Sequence, residues 1–226
     1  DASQHFGAQA FPVGNTNKRV FCAIVLDRSG SMDGAPIDSL NAGLRAFASA
    51  LASDPVAQAS VDVTLISFSD DVRVDVSWSE ADQWTPPTLV AGGCTNIGAG
   101  LKQALDLIDA RCEAARVRKK PCYIPWLIVI TDGEPDSDNR ALADTIAAEC
   151  RQLGDNRRLN CWAIGVEGAN VAWLRSVSPI QCAMLNGLDF TTLFRFVTDS
   201  LSLRASVGAE QTVVAQQPVG LFSIPG

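Results

Sequence analysis

Two stretches of this chain, Arg19 to Asp27 (Arg-Val-Phe-Cys-Ala-Ile-Val-Leu-Asp) and Tyr123 to Thr131 (Tyr-Ile-Pro-Trp-Leu-Ile-Val-Ile-Thr), are almost unbroken apolar runs rich in β-branched residues. A strand that is apolar at every position must be covered on both faces, so these runs demand a mostly parallel sheet between two layers of helix. Pro125 is tolerable near the start of the second run and damaging in its middle. Leu159 to Val166 supplies a further strand of the same kind. Val61 to Phe68 and Val72 to Trp78 are separated only by Ser69-Asp70-Asp71, which predicts a hairpin and one antiparallel strand at an edge.

Between these runs the apolar residues recur at helical spacing. Ile37, Leu40, Leu44, Phe47 and Leu51 follow Pro36, which suits a first helical turn, and Asp54-Pro55 ends that helix. Ile97, Leu101, Ala104, Leu105 and Ile108 line a second helix, and Leu142, Ile146 and Leu153 a third. Val171 to Val177 reads as a short helix. Asp189 is placed to cap a last one carrying Leu193, Phe194, Val197 and Leu201. Strands alternating with helices predict an α/β fold: a doubly wound, mostly parallel sheet with one antiparallel edge strand and helices on both faces. The expected organisation is an N-terminal extension over residues 1–18, one domain over 19–205 and an appendage over 206–226. The appendage lacks a clear period; a loose tail is the default at a terminus, an extra strand or a partner-docking segment the alternatives.

The chain has 226 residues, enough to bury a substantial core, and its net charge of −7 opposes nonspecific binding to nucleic acid or an anionic membrane. Arg116-Val117-Arg118-Lys119-Lys120 is a local basic patch that reads as a solvated loop. No apolar run is long enough to span a membrane, and Asp1 to Lys18 has no signal-peptide layout; a start at Asp1 rather than Met leaves a removed leader open. Seven cysteines without a Cys-x-x-Cys pair argue against a disulfide framework or a zinc site and favour a reducing, cytoplasmic home. The only histidine is His5, so a histidine-based triad has no candidate base.

Three oxygen-bearing segments sit beside these elements: Asp27-Arg28-Ser29-Gly30-Ser31 after the first strand, Gly93-Cys94-Thr95 before the second helix, and Thr131-Asp132-Gly133 after the Trp126-to-Ile130 strand. In an open parallel sheet these segments share the carboxyl edge, where ligands bind. Two carboxylates balance a divalent charge and three hydroxyls add neutral oxygens, a donor set for a hard cation that wants six oxygens. Asp33, Asp70, Asp71, Glu134, Asp136 and Asp138 form an acidic rim if the loops gather, though each alone reads as a solubilising charge. Arg28 reads as solvent-facing. Trp78, Trp84 and Trp173 read as packing residues rather than interface anchors.

At these positions the sequence resembles the von Willebrand factor A family, whose metal-ion-dependent adhesion site is written Asp-x-Ser-x-Ser, then Thr, then Asp. Asp27, Ser29, Ser31, Thr95 and Asp132 fill it, and the resemblance runs from about Arg19 to Arg204. It implies a Rossmann-like fold and a Mg²⁺ site, with Mn²⁺ or Ca²⁺ as alternatives, completed by a carboxylate from a protein partner. Leu26 to Met32, Gly34 to Ile37 and Ile130 to Pro135 further resemble bacterial TerY-type proteins of tellurite-resistance clusters. That implies a binding or scaffold role beside a protein kinase and a metal-dependent phosphatase.

Other motifs fail at defined positions. A calcium loop starting at Asp132 needs glycine where Ser137 stands and an acid where Ala143 stands. A phosphate loop from Gly93 needs Lys-Ser/Thr where Ala99-Gly100 stand. An aspartyl-nucleophile phosphatase needs an acid-base aspartate where Ser29 stands. The expected function is therefore a non-catalytic, metal-dependent protein-binding module. A metal-dependent, phosphatase-like hydrolase using the same site is the alternative, and a purely structural ion is a third reading.

Overall fold

The computed structural model describes residues 15–207, 215–216 and 218–223. Seven strands form one sheet, interleaved with helices: β1 (Val20–Asp27), α1 (Ala35–Ser53), α2 (Pro55–Ser60), β2 (Val61–Phe68), β3 (Val72–Glu80), α3 (Ile97–Val117), β4 (Trp126–Thr131), α4 (Arg140–Asp155), β5 (Asn160–Gly165), α5 (Val171–Val177), β6 (Cys182–Leu185), α6 (Phe190–Ser206) and β7 (Phe222–Ser223). The order across the sheet is β3-β2-β1-β4-β5-β6-β7. β2, β1, β4, β5 and β6 run parallel, and β3 pairs antiparallel with β2 as the hairpin spacing requires. A second antiparallel contact, Met184 and Leu185 with Ser223 and Phe222, closes the far edge. The C-terminal appendage thus contributes a short strand. Leu221 is buried beside it, and Phe222 meets Phe196 edge to face at 5.8 Å.

The unbroken apolar run of β1 is explained by its alternation between two cores. Val20, Cys22, Ile24 and Leu26 face a layer built from α1, α2 and α6, where Phe47 packs against Trp84 and Phe194. Phe21, Ala23 and Val25 face the opposite layer of α3, α4 and α5. The three tryptophans read as packing residues, Trp78, Trp84 and Trp173, are buried.

Several boundaries differ from expectation for local reasons. Asp54 ends α1 and also opens α2, its side chain accepting from the N–H groups of Val56 and Ala57. α4 buries Ala143, Ile146, Ala147 and Cys150, whereas Leu142 is exposed; the small residues form the true face. β4 starts at Trp126, so Pro125 stands just outside the ladder.

At the end of the sheet opposite the loops named above, a buried ion cluster locks β1, β2 and α3. Asp62 takes the Arg19 guanidinium on one oxygen and the Arg111 Nη2 on the other at 3.0 Å, and all three side chains are buried. Arg19 also donates to the Ala59 carbonyl at 2.9 Å and to Glu80 at 3.3 Å. Removing Asp62 takes away the carboxylate shared by two buried guanidiniums, so Asp62→Ala is expected to lower unfolding free energy by about 3–5 kcal/mol. Urea denaturation checks this, with the exposed pair Lys102–Asp106 as the comparison: Lys102→Ala should leave the midpoint nearly unchanged.

Candidate metal centre

The strand order reverses at β1, whose sequence neighbour β2 lies on one side and β4 on the other. The crevice at such a switch point, beyond the carboxyl ends, is where open α/β sheets bind ligands. Asp27 ends β1 and Thr131 ends β4, so both side chains stand at its floor.

Asp27 is fully buried and doubly held. Oδ1 accepts from the Ser29 N–H at 2.8 Å, and Oδ2 accepts from the Thr131 hydroxyl, whose oxygen in turn accepts from the Gly133 N–H at 3.1 Å. Burial pushes the Asp27 carboxyl up to about 6; these hydrogen bonds oppose the rise, and the nearby Asp132 charge adds to it. A divalent cation beside the carboxylate reverses that balance by favouring the ionised form.

From this floor the oxygens step outward. Ser29 Oγ lies 3.1 Å from Ser31 Oγ, and Ser31 Oγ donates to Asp132 Oδ1 at 3.0 Å. Ser29 is buried and Ser31 exposed, so the open side of the cluster faces solvent. Thr95 approaches from the α3 side: a Cβ placed on Gly133 would lie 3.5 Å from Thr95 Oγ1 and 3.9 Å from Asp27 Oδ2. The structure therefore brings Asp27, Ser29, Ser31, Thr95 and Asp132 to one crevice.

This donor set fits a hexacoordinate hard cation in chemistry and spacing. Mg²⁺–oxygen bonds of about 2.0–2.1 Å put neighbouring octahedral oxygens about 3 Å apart, the separation seen along Ser29, Ser31 and Asp132. Among the described residues no three His, Cys, Asp or Glu side chains converge to hold a metal, so any ion here relies on hydroxyls as well as acids.

The loops are held by carboxylates that sequence reasoning treated as rim charges. Asp136 Oδ2 accepts from the Thr95 N–H at 2.7 Å, and Asp70 Oδ1 accepts from the Cys94 N–H at 2.8 Å. Gly93 has φ 82, and a Cβ there would collide with the Asp70 carboxylate, so glycine serves both the left-handed turn and the approach. Its carbonyl accepts from the Gly30 N–H at 2.9 Å, tying the first and second loops together. Gly30 thus serves close contact rather than a left-handed turn.

Arg28 is not solvent-facing. It is 6% exposed, its Nε donates to Ser67 Oγ at 3.2 Å, and its Nη2 pairs with Asp71. Arg73 and then Arg28 hold the Asp71 carboxyl down to about 2. Arg28 thereby joins the first loop to the β2–β3 turn. Glu134 accepts from Asn170, the cap of α5, so the third loop is also anchored. Thr131 stood within a singled-out segment, yet its role as donor to Asp27 had no sequence signal.

A twisted parallel sheet with an oxygen-lined crevice at its reversal point defines a ligand-binding α/β domain. The family model for the von Willebrand factor type A domain matches residues 22–197, and the chain belongs to that family. Among solved structures it is similar to a von Willebrand factor type A protein from Catenulispora acidiphila (TM-score 0.59, 19% identity, covering 82% of this chain and 43% of that one). It is also similar to the pilus adhesin SpaC from Lactobacillus rhamnosus GG in its open conformation (0.59, 15%, 85% and 31%). The PilB minor pilin from Streptococcus sanguinis is a third such structure (0.57, 12%, 86% and 64%). The chain spans less than two thirds of each of those proteins. At these identities the likeness is one of fold. No curated protein matches the chain.

Asp136→Ala should free the Thr95 amide, and Asp70→Ala the Cys94 amide, while the sheet stays intact. Amide hydrogen exchange is expected to accelerate by at least about tenfold at the released position in each variant, the loss of a charge-assisted hydrogen bond. Unchanged protection would show that other contacts hold the second loop.

Proposed function

We propose that this chain is a non-catalytic module that captures a protein partner through a divalent cation, Mg²⁺ or Mn²⁺, held by Asp27, Ser29, Ser31, Thr95 and Asp132. The observation that carries the reading is the meeting of five oxygens from three distant loops at the switch point, with two carboxylates among them. Two negative charges balance a divalent ion, and the neutral hydroxyls leave it electrophilic enough to accept another acid. When bound, the ion supplies Lewis acidity toward that carboxylate.

The chain's own residues do the rest. Asp27, fixed by Ser29 and Thr131, would hold the ion with a carboxylate whose position is already set. Ser31 and Asp132 stand at the accessible side, where a partner's Asp or Glu would enter. The backbone of Thr95 is tethered to Asp136, so its hydroxyl arrives with little freedom left to lose on binding. Hydrolysis, the other class of reaction for such a site, needs a base or a second cation to activate water. Among the described residues, the groups meeting here are carboxylates, hydroxyls and backbone amides, with no lysine or histidine, which supports binding over turnover.

A narrower version makes the chain a TerY-type scaffold in a bacterial stress or tellurite-resistance system, working in the cytoplasm beside a kinase and a protein phosphatase. It rests on the segments Leu26 to Met32, Gly34 to Ile37 and Ile130 to Pro135 alone. Among the described residues no helix is long and apolar enough to cross a membrane.

Affinity capture from the native cell tests the reading. Partners should be retained with Mg²⁺, released by EDTA, and absent with Thr95→Ala or Asp132→Ala while circular dichroism stays unchanged. Calorimetric titration should show Mg²⁺ affinity falling at least about tenfold in both variants. Capture that persists in EDTA would contradict metal-mediated binding. Turnover of a phosphoester that needs Mg²⁺ and disappears in Asp27→Ala would favour the hydrolase.

A further inference from the structure

The amino end of the sheet, opposite the crevice, contains a cavity of about 660 Å³, a size that takes a small molecule. It arises from a mismatch of strand lengths. β5 pairs with β4 from Asn160 onward, whereas β6 is four residues long and joins β5 only at Ala163, so Asn160 to Trp162 run past the end of β6. The space beside them is walled by the end of α4 and by the turn from α5 to β6.

Two kinds of surface meet there. Trp126, Leu159 and Val177 line the cavity from the core side and are buried, and Ile180 stands at its mouth, almost fully exposed. Against them are three arginines, Arg151, Arg157 and Arg204, with one acid, Asp155. Asp155 lies 3.8 Å from Arg151 and offsets one of the three charges. Arg204 is buried, its guanidinium set over the Tyr123 ring at 4.4 Å. Arg157 is exposed and makes no ion pair among the described residues. Its amide donates to the Gly154 carbonyl at 2.9 Å, and its φ is 54. Glycine is the usual residue at such a left-handed position closing a helix, so an arginine there is strained. The strain sets a cation at the rim of the cavity.

We propose that this cavity binds an organic carboxylate with an apolar body, its carboxylate held by Arg157 and Arg151 and its body lying against Trp126, Val177 and Ile180. A guanidinium fork matches the two oxygens of a carboxylate, and the net positive lining disfavours a neutral or cationic occupant. A bare inorganic anion would leave the apolar wall uncovered. Ser178 is already engaged, its Oγ donating to the Cys161 carbonyl at 2.7 Å and accepting from the Gln181 N–H at 3.3 Å, so the arginines carry the recognition. The function proposed above does not use this cavity, which lies at the other end of the strands from Asp27.

Decanoate is the probe, titrated calorimetrically into the intact chain in EDTA so that no metal in the crevice can take its carboxylate, with decanol as the neutral control. One saturable site is expected, with decanol bound at least about tenfold more weakly. Amide resonances that shift on addition of decanoate should cluster at 150–161 and 177–181. Arg157→Gly relieves the left-handed backbone, so that variant should melt no lower than the parent while losing at least about tenfold in decanoate affinity. Asp132→Ala, in the crevice, should bind decanoate as the parent does. Absence of saturable binding, shifts clustered elsewhere, equal affinity for decanol, or undiminished affinity in Arg157→Gly would overturn the proposal.

Discussion

A carboxylate removed from water is the constraint on which this molecule turns. Asp27 ends a strand covered on both faces, and its side chain has no exposure at all. Such a group is tolerated only with hydrogen bonds or a counter-charge. Here the Ser29 amide and the Thr131 hydroxyl supply the first, and the convergence of Ser31, Thr95 and Asp132 prepares a place for the second. The sheet topology provides that place: at the reversal, the ends of β1 and β4 and the start of α3 open onto one crevice.

β1 carries fixed charge at both ends. Arg19 enters it within a buried cluster with Asp62 and Arg111, and Asp27 leaves it toward the crevice. Register along this strand is therefore set twice, by ion pairing below and by the loop hydrogen bonds above. Between them its side chains alternate between two cores, so a slip of one residue would exchange Phe21, Ala23 and Val25 for Cys22, Ile24 and Leu26. That rigidity is what lets short hydroxyl side chains on the following loop hold positions 3.1 Å apart.

The sequence made the fold legible where burial writes itself into composition. β1, β4 and β5 could be read because double-sided coverage leaves nearly continuous apolar runs, and β2 with its edge partner β3 because only three residues separate them. β6, with Cys182-Ala183-Met184-Leu185, is four residues long and has no β-branched residue, and β7 pairs through two residues only; neither offers a local signal. α4 misled because Leu142 outranks Ala143 in hydrophobicity although packing selects the smaller residue. The five candidate oxygens were readable because each sits at an element end. Their supports were not: Asp136 reaches Thr95 across 41 positions, Asp70 reaches Cys94 across 24, and Arg28 turns inward to Asp71 across 43.

The central claim is that the crevice holds one divalent ion and leaves a coordination position facing outward. Anomalous diffraction from crystals grown with Mn²⁺ tests this most directly. A single strong peak about 2.1 Å from the Ser29 and Ser31 hydroxyls, within reach of Asp27, Thr95 and Asp132, with its outward position filled by water or a neighbouring acid, is the predicted result. The account is contradicted by the absence of a peak among these residues at saturating Mn²⁺, or by an ion whose six positions are all filled by this chain.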